Sequence, residues 1–270
     1  MHTRKRIINT SVAFVAAATT SAFAQDADPT AWKTSAGVSV SVQKGNADTT
    51  LFGANILSSK KWDKNEINLG ADGVYGDNTS VDLAPPDANG NVSTREVSKT
   101  TAQNYGAFAQ YNRLITDRFY AYGNVSARQD RIADVDYRIS LSPGVGYYFL
   151  KNEKTTLSVE AGPGFVFEKL AGTSKEYWTI RVGEKLTHQI TKSARLFQDA
   201  EFIPQVDDFN NYVLQAQIGV EADITKKLAL RVVFQDTYRN EPAPITGTIP
   251  LQFREKNDLK LLAGINYKFQ

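Results

Sequence analysis

Residues 212–224 read Tyr-Val-Leu-Gln-Ala-Gln-Ile-Gly-Val-Glu-Ala-Asp-Ile. Tyr212, Leu214, Ala216, Ile218, Val220, Ala222 and Ile224 fall on one parity, against Gln215, Gln217, Gly219, Glu221 and Asp223 on the other. Side chains of a strand alternate between its two faces, whereas a helix would repeat its apolar positions every three to four residues. This segment is therefore a strand with one apolar and one polar face. It is also too long for an ordinary soluble strand, which runs about 5 or 6 residues. A tilted strand that crosses a membrane takes about 9–11.

The same alternation recurs along the chain. Trp32, Ala36, Val38, Val40 and Val42 oppose Lys33, Ser35, Gly37, Ser39 and Ser41, and Leu259, Leu261, Ala263, Ile265, Tyr267 and Phe269 oppose Lys260, Gly264, Asn266 and Lys268. Twelve such segments are expected, near 32–43, 47–60, 65–76, 99–113, 118–129, 135–150, 155–168, 175–190, 194–205, 211–224, 228–239 and 254–269. The connections at 62–64, 115–117, 151–154, 191–193 and 225–227 are short and polar. Those at 77–98, 130–134, 169–174, 206–210 and 240–253 read as longer loops, with a tight first one at 44–46. Short turns on one side and longer loops on the other mark an outer-membrane barrel, with the short side in the periplasm. Aromatics gather at both strand ends. Trp32, Tyr111, Phe119, Tyr147, Phe149, Tyr267 and Phe269 lie near the short turns. Tyr75, Tyr105, Tyr137, Phe167, Trp178, Tyr212 and Tyr238 lie near the loops. Rings at a membrane interface bury their bodies and keep a polar edge wet. The fold class expected is all-β, an antiparallel transmembrane β-barrel of about 12 strands in an up-and-down meander.

Composition agrees. The 270 residues are 41% hydrophobic, 11% aromatic and free of cysteine, which excludes a disordered chain, a disulfide scaffold and a cysteine nucleophile. Arg4, Lys5 and Arg6 open a weakly apolar run from Ile7 to Ala18 that ends in Ala22-Phe23-Ala24. A cationic start, a short apolar stretch and a small-x-small end predict a secretory signal peptide over 1–24, cleaved between Ala24 and Gln25. Of 31 lysines and arginines those three fall in 1–24, which holds no acid, so 28 basic side chains face 29 acidic ones beyond it. Near-neutrality gives no reason to expect nucleic acid as a partner. After Gln25 no apolar run reaches the length of a membrane helix. The remaining alternatives are a periplasmic β-protein and a barrel in the bacterial outer membrane with lipid as its partner, and the aromatic bands favour the barrel.

Several stretches resemble a known family. They are Trp32…Gly37-Val38-Ser39-Val40-Ser41…Gly45-Asn46, Tyr137-Arg138…Pro143-Gly144-Val145-Gly146-Tyr147, Glu160-Ala161-Gly162 and Leu261…Gly264-Ile265-Asn266-Tyr267-Lys268-Phe269. The family is a domain of unknown function whose members are described as salt-induced outer membrane proteins. The resemblance spans about 32–269 and implies an outer-membrane barrel, a link to salt or osmotic stress and no established chemistry. It also implies engagement of the barrel-assembly machinery by the last strand, although Gln270 follows the aromatic with which such barrels end.

Catalytic, cofactor and metal residues are not expected. His188 is the one histidine beyond the signal segment, so a Ser-His lipid hydrolase would have to use it. Its parity with Trp178, Ile180, Val182 and Leu186 points it at lipid. A single histidine also makes a poor zinc site. Gly144-Val145-Gly146 and Gly162-Pro163-Gly164 lie within strands with no helix following, so they fit tight barrel curvature rather than phosphate binding.

The inward parity carries the candidate residues. Lys33, Glu66, Asp72, Arg128, Arg138, Glu160, Arg181, Lys185, Glu221, Asp223, Arg231 and Lys260 are expected to line the lumen, with Glu168 and Lys268 and a set of asparagines and glutamines. In segment 194–205 the parity is ambiguous, because Asp199 and Glu201 share it with Phe197 and Ile203. Glu184 falls on the lipid parity, which suggests a bulge or a shifted register ahead of the alternative, a contact with another protein. Two readings of the bore stay open: a narrow, weakly selective path for small solutes, or acids and bases that pair across it and close it. The function expected is a non-enzymatic pore or envelope-integrity barrel. The alternatives are a binding or adhesion protein using loops 77–98 and 240–253, and the hydrolase.

Overall fold

The computed structural model describes residues 30–43, 48–83, 94–132, 134–242, 244–245, 252–253 and 256–269. The segment expected to be a signal peptide, residues 1–24 with the Ala24–Gln25 cleavage, lies outside the described residues, as do 84–93 of the longest loop. Eleven strands follow in order: β1 Lys33–Gln43, β2 Asp48–Trp62, β3 Asn65–Leu83, β4 Thr94–Leu114, β5 Phe119–Asp130, β6 Val135–Lys151, β7 Thr155–Leu170, β8 Thr173–Gln189, β9 Ala194–Pro204, β10 Tyr212–Asp223 and β11 Leu228–Arg239. Two-residue strands β12 (Pro244–Ile245) and β13 (Gln252–Phe253) pair in the connection to β14 (Asn257–Phe269). All twelve long strands pair antiparallel with their sequence neighbours, and β14 returns to pair with β1, closing a barrel. This is the expected meander. The closing seam runs from Thr34 opposite Phe269 to Val40 opposite Ala263.

The alternation read from the sequence becomes two surfaces of opposite character. Outside, Val38 (65% exposed), Leu261 (61%) and Trp178 (58%) stand clear of the protein. An apolar surface that wraps the whole barrel is far larger than any a water-soluble monomer leaves uncovered, so lipid is its solvent. Inside, the buried residues are largely polar, with Glu160 at 1%, Asn104 at 0% and Glu221 at 3% exposure. The rings expected at the two rims project from the outer face, including Tyr111, Tyr147, Tyr105 and Tyr137.

Three of the short turns share a local device. Thr116 Oγ1, Asn152 Oδ1 and Thr225 Oγ1 each accept a hydrogen bond from the backbone N–H three residues on, at 2.9, 2.8 and 3.0 Å. Side-chain oxygens of Thr and Asn stabilise a reversal this way in place of backbone partners.

Three expectations about the connections and register are corrected. The first concerns the loop at 77–98. Most of it is a hairpin, because β3 continues to Leu83 and β4 begins at Thr94 beyond a bulge between Gly76 and Asp77. Asp77-Asn78-Thr79-Ser80 carries no apolar parity, as expected of strands that emerge from the membrane with water on both faces. The second is the expected loop at 169–174, which is a two-residue turn. Ala171 and Gly172 have φ of 48° and 78°, the twist that matches a tight hairpin. The third is Glu184. Register across β7–β8 and β8–β9 is continuous, so no bulge turns this carboxylate inward. It stays on the outer face and accepts a hydrogen bond from Gln198 Nε2 at 3.1 Å.

Glycine is required where β6 and β7 approach closest. A Cβ on Gly162 would overlap the Pro143 carbonyl oxygen and lie 2.7 Å from Gly144 Cα, and neither backbone atom can rotate away. Gly123 has nothing within 4 Å of a Cβ. Gly162→Ala is therefore expected to destabilise the folded barrel by about 1–3 kcal/mol. Gly123→Ala should stay within about 0.5 kcal/mol of the parent. Urea midpoints in detergent would show the difference, and equal midpoints would contradict the close approach.

Candidate functional site

The bore is built from inward positions spaced two apart on every strand, so its chemistry is the polar parity of the sequence. In the half nearer the short turns it is filled. Glu160, on β7, is the centre. Its Oε2 accepts from Arg181 Nη1 at 2.8 Å, and its Oε1 accepts from Gln110 Nε2 (2.9 Å), Tyr120 OH (3.0 Å) and Lys185 Nζ (3.3 Å). These donors come from β4, β5 and β8, so the contacts cross the bore and do not merely follow one strand pair. Arg181 also binds Glu201 through Nε (3.0 Å) and Nη2, reaches Tyr122 OH at 3.2 Å and lies 5.4 Å from that ring's centroid. Tyr120 leans on Tyr148 with ring centroids 5.0 Å apart.

A second cluster closes the rim between β9 and β14. Glu221 accepts from Arg195 Nη2 (2.9 Å) and Asn266 Nδ2 (3.2 Å), and Lys268 lies 3.7 Å away while bonding Asp223. Between the clusters Asp199 accepts from Gln217 (3.0 Å), which accepts from Gln235 (3.2 Å). Arg231 stacks over Phe197 at 4.3 Å. Ionised groups taken from water are tolerated only when paired or well hydrogen-bonded. The contacts of Glu160, Arg181 and Glu221 meet that requirement by joining neighbouring and facing strands.

Toward the loop end the filling gives way to a cavity of about 180 Å³. Arg128, Arg138, Arg181, Lys185 and Arg239 line it together with Asp72 and Glu201. Phe108, Val166, Tyr177 and Ile203 provide apolar wall. Arg138 Nε bonds Glu168 at 2.7 Å, and Arg128 lies 4.0 Å from Asp72.

Each residue expected in the lumen can now be placed. Glu160, Arg181 and Lys185 form the central cluster, and Glu221 and Asp223 belong to the rim cluster. Asp72, Arg128 and Arg138 line the cavity. Glu66 is buried, bonded by Asn68 (3.3 Å) and Lys61 (3.4 Å). Lys33 stands opposite buried Ser59 in the register, and Arg231 is on the inner face of β11. The side chain of Lys260 lies outside the described residues.

Sequence reasoning missed five inward groups: Arg195, Asp199, Glu201, Arg239 and the tyrosine set Tyr120, Tyr122 and Tyr148. The first three sit on β9, where Phe197 and Ile203 also face inward and obscured the polar parity. Arg239 shares its parity with Arg231 and was legible. Tyr120 and Tyr122 share parity with Asn124 and Arg128 on β5, and Tyr148 with Arg138 on β6, a signal masked by reading aromatics as interfacial. His188 remains outside, its Nδ1 2.9 Å from Thr155 Oγ1.

A closed, antiparallel, twelve-stranded barrel with an apolar exterior and a polar bore is the architecture of outer-membrane channels, and the chain has that class of fold. An outer membrane channel from Pseudomonas putida F1 superposes with a TM-score of 0.51 at 8% identity, covering 92% of this chain and 100% of that one. The NanC porin superposes at 0.48 and 8% identity, covering 89% and 100%. Within that class, the chain belongs to the family described as protein of unknown function, DUF481, which it matches over residues 36–269. A curated relative, the uncharacterized protein YdiY of Escherichia coli strain K12, is 24% identical over 155 residues, 57% of this chain and 60% of the relative.

Proposed function

We propose that the protein is a non-enzymatic channel of a Gram-negative outer membrane. It would admit small solutes into an outer vestibule and restrict their passage at a charge-paired floor. The carrying observation is the asymmetry of the bore: a polar cavity at the loop end above a half filled by the contacts of Glu160, Arg181 and Glu221. Barrels of about 8 strands are filled by side chains and those of about 16 leave an open channel, so a partly filled bore suits twelve. Acids and bases alternate along the floor, which supports weak ion selectivity. Lipid is the solvent of the outer face, β14 is the strand offered to the assembly machinery, and export by the 1–24 segment precedes both. A role under salt or osmotic stress follows the family resemblance.

The non-enzymatic reading is supported by His188. It faces lipid, and among the described residues no carboxylate bonds its ring. The test is single-channel recording in a planar bilayer of barrel shown to be folded by heat-dependent gel mobility. Small, discrete steps proportional to salt are expected. A folded barrel that stays silent overturns the channel.

A further inference from the structure

The loop-end cavity has an unbalanced wall. Five of its seven charged lining residues are cations, Asp72 and Glu201 being the acids. The carboxylates that neutralise the cations mostly lie behind the surface. Glu160 is 1% exposed, Glu168 5% and Asp130 4%, so these three acids are covered and Asp72 and Glu201 are the acids on the wall.

Arg239 stands apart from the paired cations Arg138, Arg181 and Lys185 of the same wall. It is the last residue of β11, standing opposite Val213 on β10. Its guanidinium makes no ion pair and no hydrogen bond among the described residues. Arg138 and Arg128 act on it as like charges, and Asp130 and Tyr177 act in the opposite sense without bonding it. A guanidinium carries five N–H donors and has a strong preference for a planar, two-oxygen acceptor. Placing like charges around one cavity is costly unless something of opposite charge enters it.

The rest of the lining narrows the class of anion. Ser126, Ser140, Thr179, Gln205 and Gln215 present hydroxyls and amides, which donate and accept. Phe108 and Tyr177 offer flat apolar faces. A volume of about 180 Å³ lies below the ~300–1,000 Å³ of sites for drug-sized ligands. The occupant is therefore one small molecule rather than a run of linked units.

We propose that this cavity is a binding site for a small hydroxylated carboxylate, of the sugar-acid class, with its carboxylate on Arg239 and Arg138 and its hydroxyls on the Ser, Thr and Gln ring. The proposal deepens the channel reading, since it assigns the solute class of the vestibule.

Binding is measured by calorimetry on the folded barrel in detergent. The probes are sodium gluconate, glucose as its uncharged analogue and inorganic phosphate, each against parent and Arg239→Gln. Gluconate should bind, and glucose should bind at least tenfold more weakly. Arg239→Gln should weaken gluconate by roughly ten- to a hundredfold, the loss of a charge-assisted contact, without changing heat-dependent mobility. Arg138→Gln should weaken it as well. Gluconate and glucose binding alike, or gluconate binding unaffected by Arg239→Gln, would overturn the anion seat. Phosphate binding as tightly as gluconate would overturn the hydroxylated-carboxylate class. Because no current is measured, a barrel that binds but never conducts removes the channel and keeps the site. A barrel that conducts but never binds does the reverse.

Discussion

Arg181→Met should lower the stability of the folded barrel by about 3–5 kcal/mol, the largest loss expected from any single bore residue. Arg181 supplies donors to Glu160, Glu201 and Tyr122 at once. Its side chain is 6% exposed and that of Glu160 is 2%. Methionine fills a similar volume but leaves Glu160 and Glu201 without their shared cation. Lys185 remains beside Glu160 at 3.3 Å but does not reach both carboxylates among the contacts seen. Adding Glu160→Gln to Arg181→Met should recover part of the loss, because it removes one of the two stranded charges. Urea unfolding in detergent or lipid, followed by tryptophan fluorescence, reports both values. A loss below about 1 kcal/mol would mean that the pair is as well solvated as a surface ion pair. The floor would then be wet rather than closed.

The second large effect concerns passage. Tyr120 and Tyr148 stack at 5.0 Å beneath the cavity, and Tyr120 presses on Gly146, where a Cβ would collide with its ring. The ring lies across the bore because glycine opposite leaves it room. Replacing both tyrosines by alanine removes two rings from the filled half and one donor from Glu160, which keeps Gln110, Lys185 and Arg181. Single-channel conductance should rise severalfold, with a stability cost of about 3–5 kcal/mol for each ring removed. Heat-dependent gel mobility establishes that the double variant still forms a barrel. A folded double variant with parental conductance would place the constriction elsewhere, at the Arg195–Glu221–Lys268 cluster.

How much of this was legible in the sequence depends on the solvent of each segment. Where lipid lies on one face and the bore on the other, alternation is strict. Residues 212–224 could be assigned inward and outward one by one, and β10 matches that reading. Where a strand leaves the membrane, water lies on both faces and the pattern disappears. That is why Asp77 to Leu83 read as loop although they pair with Thr94 to Thr100. Parity also misleads where the bore itself is apolar, as at Phe197 and Val233, which pack on each other inside. The inward positions of Glu160 and Arg181 followed from parity alone. Their contact did not, because a hydrogen bond across the bore depends on barrel radius and strand stagger, which period two does not encode. That Arg239 makes no ion pair among the described residues is likewise a property of geometry, which the counts of 31 bases and 29 acids do not determine.

The seam between β1 and β14 has a consequence for biogenesis. Thr34, already paired with Ser58 of β2, closes the sheet when it meets Phe269 of β14, far along the chain. Until then the growing sheet has two unsaturated margins, each a row of backbone donors and acceptors able to recruit any extended strand it meets. A contact this distant in sequence is also slow to form. The sheet is thus at its most adhesive just before the barrel closes. A factor that shields the two margins until β1 and β14 meet would protect the chain from such pairing.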